Sequence, residues 1–177
     1  FFIPGVDCDF FKPDGTKKTH YILYIGDNDL GFVSNYIDNI VTNGVSIILC
    51  GNGWSSFGGY KNVKIFTEFG TKEKIYDICK LAKMGLIHAE SVIDLGINWN
   101  HLFTYFACEM PVISIGNKSI QNNYQYPIFN IPDIYLKCVD NIGNNKFFDE
   151  FGKQARNIAL ANSWDERVKQ LEQIYNG

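Results

Sequence analysis

His101 follows Asn98 and Asn100 closely and stands three residues ahead of Thr104, within the run Gly96-Ile97-Asn98-Trp99-Asn100-His101-Leu102-Phe103-Thr104. Carboxamides, a hydroxyl and an imidazole are the groups that hydrogen-bond phosphate and sugar oxygens. The run reads as a polar, Gly-containing loop, then a short helix beginning near Asn98 to His101, then a buried strand opened by Pro111. A helix start at a sheet edge offers free backbone N–H groups and a dipole worth about half a positive charge, which together hold an anion. His101 is the candidate catalytic group, donating to a phosphate oxygen or to a sugar. A helix-start imidazole facing solvent is the plainer alternative.

The elements that position these residues follow from hydrophobic periodicity. Tyr21 to Ile25 is a continuous apolar run ending at Gly26, as expected of a strand buried on both faces of a parallel sheet. Val33, Tyr36, Ile37, Ile40 and Val41 repeat at helical spacing, and Asn43-Gly44 is a stop signal. Val45 to Cys50 reads as a second strand and Val63 to Phe66 as a third. Thr71 caps a helix with an inner face of Ile75, Ile78, Cys79 and Ala82, and Gly85 ends it. Leu86 to Ala89 forms a short fourth strand, Val112 to Ile115 a fifth, and Tyr126 to Ile131 a sixth. Helices follow over Lys146 to Ala161 and from Ser163, where Ser163 and Glu166 form a capping box and Trp164, Val168, Leu171 and Tyr175 line one face.

Strand alternating with helix at this rhythm predicts a doubly wound, mostly parallel α/β sheet of the Rossmann-like kind, in one domain. Ligands on such sheets bind at the carboxyl ends of the strands. There the sequence places Gly26-Asp27-Asn28, Gly51-Asn52-Gly53-Trp54, Thr67-Glu68-Phe69-Gly70, Glu90 to Asn100 and Gly116-Asn117-Lys118. Any one of these is most simply a turn; several at one end of a sheet predict a site. His88 reads more simply as a satisfied core histidine than as a catalyst. Trp54 and Trp99 are equally consistent with stacking on a ligand and with packing.

Other chemistries are excluded by pattern. Gly26-Asp27-Asn28-Asp29-Leu30-Gly31 is neither the dinucleotide fingerprint nor a P-loop, because the glycine spacing and the Lys-Ser/Thr pair are missing. A net charge of −3 supplies no basic face for nucleic acid. No apolar run approaches the roughly 20 residues of a membrane span. The five cysteines (Cys8, Cys50, Cys79, Cys108, Cys138) are widely spaced, with no pair at zinc-ligand spacing. Reduced core thiols, no metal and a cytoplasmic setting are therefore expected. The chain begins at Phe1 inside an apolar stretch, which reads as a piece of a longer protein.

Several segments together resemble GT-B glycosyltransferases of the glycosyl transferases group 1 kind. Phe2-Ile3-Pro4-Gly5-Val6-Asp7-Cys8-Asp9-Phe10-Phe11-Lys12-Pro13 is similar to the "V-I-P-N-G-V-D-x-x-x-F-x-P" segment that leads into their C-terminal domain. Ile22 to Gly26 resembles "iLyvGr", Ile48 to Gly53 "l-i-v-G-x-G", Asn62 to Phe66 "n-V-x-f-x-G", and Ser163 to Glu166 the "s-W-e" of their last helix. Thr104 to Ile113 resembles "E-A-M-A-x-G-x-P-V-I". The set covers nearly the whole chain in order.

The resemblance implies that residues 1–177 are a donor-binding C-terminal domain, with 1–20 as its leading segment and 163–177 as its terminal helix. It implies a nucleotide diphospho-sugar, UDP- or GDP-linked, as co-substrate with no cofactor. The base would lie near Thr67 to Gly70 and the diphosphate near Asn98 to His101. A glycan, lipid or protein acceptor would bind through an N-terminal domain that this chain lacks. The donor contacts implied are Gly26, Asn52, Glu68, Asn98, Asn100, His101, Thr104 and Lys118.

Two departures stand out. The family's glutamate pair falls on Gly96 and Thr104, where only a neutral hydroxyl can meet a ribose. From Tyr21 to Tyr60 there is no Lys or Arg, so diphosphate charge is left to Lys118, Lys72, His101 and the helix dipole. A solvated surface role is the commoner one for a lysine such as Lys118. The leading expectation is a hexosyltransferase domain; a catalytically inactive partner or scaffold domain, or a nucleotide-sugar epimerase, are the alternatives.

Overall fold

The computed structural model describes residues 5–16, 18, 21–28, 32–88, 92–115, 128–130 and 145–176. Its strands are β1 (Tyr21–Ile25), β2 (Ile47–Cys50), β3 (Val63–Phe66), β4 (Ala82–His88), β5 (Val112–Ile115) and β6 (Ile128–Asn130). Its helices are α1 (Phe32–Thr42), α2 (Lys72–Cys79), α3 (Val92–Ala107), α4 (Asn145–Ala161) and α5 (Trp164–Asn176). The strands form one sheet in the order β3-β2-β1-β4-β5-β6, and every neighbouring pair is parallel. The doubly wound α/β expectation is met.

Each apolar strand divides its side chains between two cores. From β1, Leu23 and Ile25 join Ile48, Cys50, Cys79, Phe103, Tyr105 and Phe106 on one face. Ile22 and Tyr24 join Ile37, Ile40, Ile47, Leu49, Trp54 and Met84 on the other. Burial on both faces is why these strands are uninterrupted hydrophobic runs rather than alternating ones.

Local signals set several boundaries. Gly44 ends α1 with φ +78°, and Val45 N–H reaches back to the Ile40 carbonyl at 3.1 Å, a Schellman closure. Thr71 caps α2 by accepting from Lys74 N–H at 3.3 Å, as the sequence predicts. Ser163 likewise accepts from Glu166 N–H at 3.3 Å at the start of α5.

Two boundaries differ from expectation. α2 stops at Cys79, and both Ala82 and Gly85 belong to β4. Gly85 does not stop a helix. A Cβ there would sit 2.2 Å from the Tyr105 ring, so the glycine makes room for a fully buried aromatic of α3. The second difference is α3 itself, which begins at Val92 and carries Gly96 to Asn100 within the helix.

α3 closes on Glu109, whose φ of 56° is the one positive value found at a described non-glycine residue. Glu109 N–H donates to the Phe106 carbonyl at 3.0 Å and Met110 N–H to the Tyr105 carbonyl at 2.9 Å. Glu109 therefore occupies the left-handed closing position that glycine usually fills, and the glycine of "E-A-M-A-x-G-x-P-V-I" falls on it. Glu109→Gly is expected to raise the unfolding free energy by about 0.5–1 kcal/mol through relief of that backbone conformation, measurable by urea denaturation.

The stripe predicted on α5 exists but is open: Trp164, Val168, Leu171 and Tyr175 are 47%, 49%, 44% and 92% exposed. Among the described residues no helix is long and apolar enough to cross a membrane.

Candidate functional site

The strand order reverses between β1 and β4, so the chain leaves these two adjacent strands in opposite lateral directions. A crevice opens outside their carboxyl ends at such a point. The loop after β1 forms one wall, and α3 begins four residues beyond the end of β4.

The loops after β1 and β2 are locked to each other. Gly26 N–H donates to the Cys50 carbonyl at 2.8 Å, and Asn28 N–H to the Asn52 carbonyl at 3.0 Å. The Asp27 carboxylate accepts from Asn52 N–H at 2.5 Å. The Asn28 side chain donates to the Gly53 carbonyl at 3.2 Å and accepts from the Ser34 hydroxyl at 2.6 Å. The Trp54 indole N–H donates to the Gly26 carbonyl at 2.8 Å. Such close contact requires glycine. Gly51 has φ +145°, and a Cβ on it would lie 2.3 Å from the Gly26 carbonyl oxygen.

These contacts assign roles that sequence left open. Trp54 is 1% exposed and packs edge-on to Tyr24 with ring centroids 5.6 Å apart, so it is a packing residue and stacks on no ligand. Gly26 and Asn52 lie together across the two loops. The Asn52 side chain is exposed, with its amide 3.5 Å from the Asp27 carboxylate. Asp27 is a clamp that sequence reasoning passed over; two glycines flanking Asn52 are its only local signal.

The remaining candidates are spread more widely. Glu68 follows the edge strand β3, is exposed and lies 3.7 Å from Lys74. Lys72, expected to help neutralise a diphosphate, is held by Asp7 at 2.7 Å and sits 4.0 Å from the Phe10 ring. That hydrogen bond, with one from Phe10 N–H, holds the Asp7 carboxyl below its ordinary range. Lys72 therefore anchors the leading segment to α2. Lys118 and Glu90 lie outside the described residues.

Asn98, Asn100, His101 and Thr104 all fall inside α3 rather than at its start. At about 1.5 Å per residue His101 stands about 14 Å along the axis from Val92, so the amino end of this helix is at Val92 and not at His101. The Thr104 hydroxyl donates to the Asn100 carbonyl at 2.8 Å, leaving its oxygen as an acceptor. Asn100 is exposed and His101 half-buried. Burial pulls the His101 pKa below the usual histidine value, so its imidazole is neutral at physiological pH. In the ligand-free chain His101 therefore offers a neutral N–H donor. His88 ends β4, half-buried and paired in register with Ile115. No cluster of three or more His, Cys, Asp or Glu fit to hold a metal occurs among the described residues.

The fold has counterparts among solved structures. Anabaena HepE, in complex with UDP and glucose, matches 98% of this chain and 55% of its own length, with a TM-score of 0.65 at 10% identity. A glycosyltransferase from Rickettsia africae matches 97% of this chain and 55% of its own, with a TM-score of 0.63 at 14% identity. The pneumococcal O-GlcNAc transferase GtfA, in complex with UDP and GlcNAc, matches 97% of this chain and 37% of its own, with a TM-score of 0.64 at 13% identity. No family model and no curated protein matches the chain. At these identities the likeness is one of fold: this chain shares the Rossmann-like α/β architecture of GT-B glycosyltransferases and spans about half the length of two of them, less of the third.

Proposed function

We propose that this chain is the donor-binding domain of a GT-B glycosyltransferase. It holds a nucleotide diphospho-sugar, UDP-linked in the first instance, in the crevice between the β1 loop and the start of α3. The observation that carries the reading is a fold shared over nearly the whole chain with proteins whose structures hold UDP. The locked Gly26–Asn28 and Gly51–Gly53 loops are the rigid wall such a ligand needs, since preformed contacts lose little entropy on binding. The backbone N–H groups at the start of α3 would meet the diphosphate. Gly26, Asn52 and Glu68 are the contacts we assign on the nucleotide side, and Asn98, Asn100, His101, Thr104 and Lys118 complete the proposed donor set.

Catalysis in this reading rests on orientation and on stabilising charge as the nucleotide leaves, with no covalent intermediate on this domain. An acceptor (a glycan, lipid or protein) would be brought by a companion N-terminal domain. This chain matches 55% of the HepE chain and 37% of GtfA, so both extend well beyond it.

A second reading, an inactive partner domain, draws on a specific pair of observations. Lys72 is engaged by Asp7, and His101 is neutral. Calorimetry of the chain with UDP, GDP, UDP-glucose and UDP-GlcNAc separates the outcomes. Saturable binding of a uridine or guanosine diphosphate supports the donor domain. No heat with any of the four, from a chain shown to be folded, would overturn it. Binding without transfer by the longer protein would select the inactive partner.

A further inference from the structure

At the amino ends of the strands, opposite the crevice, lies a cavity of about 390 Å³, lined among others by Lys12, Lys18, Lys83, Tyr76, Cys79 and Cys108. Cys79 is the last residue of α2, and Cys108 follows the last residue of α3. Both sulfurs line this one cavity and belong to the same buried cluster, and the two thiols are within hydrogen-bonding reach of each other. They are 0% and 4% exposed, and the cavity reaches both. We propose that Cys79 and Cys108 are a dithiol modification site, which a hydroperoxide entering the cavity converts to a disulfide joining the C-terminal ends of α2 and α3.

The surroundings distinguish the two sulfurs. Lys18 Nζ donates to the Glu109 carbonyl at 3.0 Å and to the Cys108 carbonyl, and Arg156 donates to the Ala107 carbonyl at 2.7 Å. Two basic side chains thus flank Cys108, with burial pulling the Lys18 pKa below its ordinary value. The Cys79 hydrogen bond comes first in pulling the Cys108 thiol down, with both basic side chains adding to it. The same contact, with burial, pushes Cys79 up. Cys108 is therefore the sulfur that attacks and Cys79 the one that resolves. By contrast, burial alone pushes the Cys50 thiol up to about 12, which makes it an inert internal reference.

The chemistry balances over two steps. The Cys108 thiolate attacks the distal peroxide oxygen, the O–O bond breaks, and the departing alkoxide takes a proton to leave as an alcohol (water, for hydrogen peroxide). Cys108 is then a sulfenic acid. The Cys79 sulfur displaces its hydroxyl, and the thiol proton leaves with that hydroxyl as water. Two thiols are oxidised by two electrons, and one peroxide is reduced. A thiol such as glutathione reverses the step by exchange.

The test treats the reduced chain with hydrogen peroxide, digests it without reductant and maps the peptides. The expected product is one cross-linked pair, Cys79 with Cys108, lighter by two hydrogens and appearing at least about tenfold faster than any oxidation of Cys50. In Cys79→Ser, dimedone should trap a sulfenic acid on Cys108; in Cys108→Ser, Cys79 should take no label. Phenylarsine oxide, which bridges two neighbouring thiols, gives a readout on the unaltered chain. It should bind once, on this pair. Absence of both the cross-link and the arsenical adduct from the folded chain would overturn the site. Oxidation of Cys108 only at the rate of Cys50 would overturn the assignment of the attacking sulfur.

Discussion

Arg156→Met should lower the unfolding free energy by about 3–5 kcal/mol, the largest loss expected from a single side chain outside the apolar cores. One guanidinium on α4 donates to three backbone carbonyls in different parts of the chain. Nη1 reaches Phe11 at 2.6 Å and Ala107 at 2.7 Å, and Nη2 reaches Cys8 at 2.8 Å. Ala107 is the last residue of α3, where a cation also meets the negative end of the helix dipole. Methionine keeps much of the stem's packing and removes only the donors. The three carbonyls would then lose their charged partner in a region where Cys8, Phe11 and Ala107 are all buried. In a thermal melt the midpoint should fall by roughly 10 °C, at 2–4 °C per kcal/mol for a domain of this size. Arg156→Lys should recover only part, because one ammonium cannot span the three acceptors. A drop of about 1 kcal/mol or less in urea denaturation would show that the leading segment is held mainly by its apolar contacts.

This bolt was invisible in sequence, and the reason is physical. Arg156 is one of three basic residues in an amphipathic helix, with Lys146 and Lys153, and its partners lie 49, 145 and 148 residues away. No local pattern encodes pairings at that separation. The strands were legible for the opposite reason. Tyr21 to Ile25 and Ile47 to Cys50 are buried on both faces, so each announces itself without reference to the rest of the chain. Caps at Thr71 and Ser163 and the stop at Gly44 are likewise local.

Where local and tertiary signals conflicted, tertiary packing won. Gly85 carries the signature of a helix end, yet it sits in mid-strand because Tyr105 fills the space its side chain would take. Gly96, Asn98 and Asn100 are weak helix formers and read as a loop. α3 nevertheless runs through them into Leu102 to Ala107, which are all buried apart from Thr104. That extension moved the helix start from Asn98–His101 to Val92. The candidate site was legible as a set of strand ends. Which groups remain open to a ligand was not, because Trp54 and Lys72 are taken by partners distant in sequence.

Gly51→Ala is the second large effect and the one that bears on function. The new methyl would lie 2.3 Å from the Gly26 carbonyl oxygen and 2.7 Å from the Asp27 carboxylate. The backbone at φ +145° is also strained for any residue with a Cβ. The first obstacle is backbone, and the second, a side-chain carboxylate, is tied to Asn52 N–H. The Gly26 carbonyl is held by the Trp54 indole at 2.8 Å, and Gly26 N–H is committed to Cys50. Relief therefore requires the β1 and β2 loops to separate, which breaks the Asp27–Asn52 clamp. The expected cost is about 2–4 kcal/mol. Gly59→Ala is the matched control: a Cβ there meets nothing within 4 Å, so stability should stay within about 0.5 kcal/mol. At a temperature where Gly51→Ala is still folded, its affinity for UDP should fall at least about tenfold, since the preformed wall must now be ordered on binding. The two readouts separate two claims. Loss of stability tests the packing of the loops against each other. Loss of UDP affinity with Gly59→Ala unaffected tests whether those loops are the wall of the donor crevice. A folded Gly51→Ala variant that binds UDP as tightly as the parent would place the nucleotide elsewhere on the sheet.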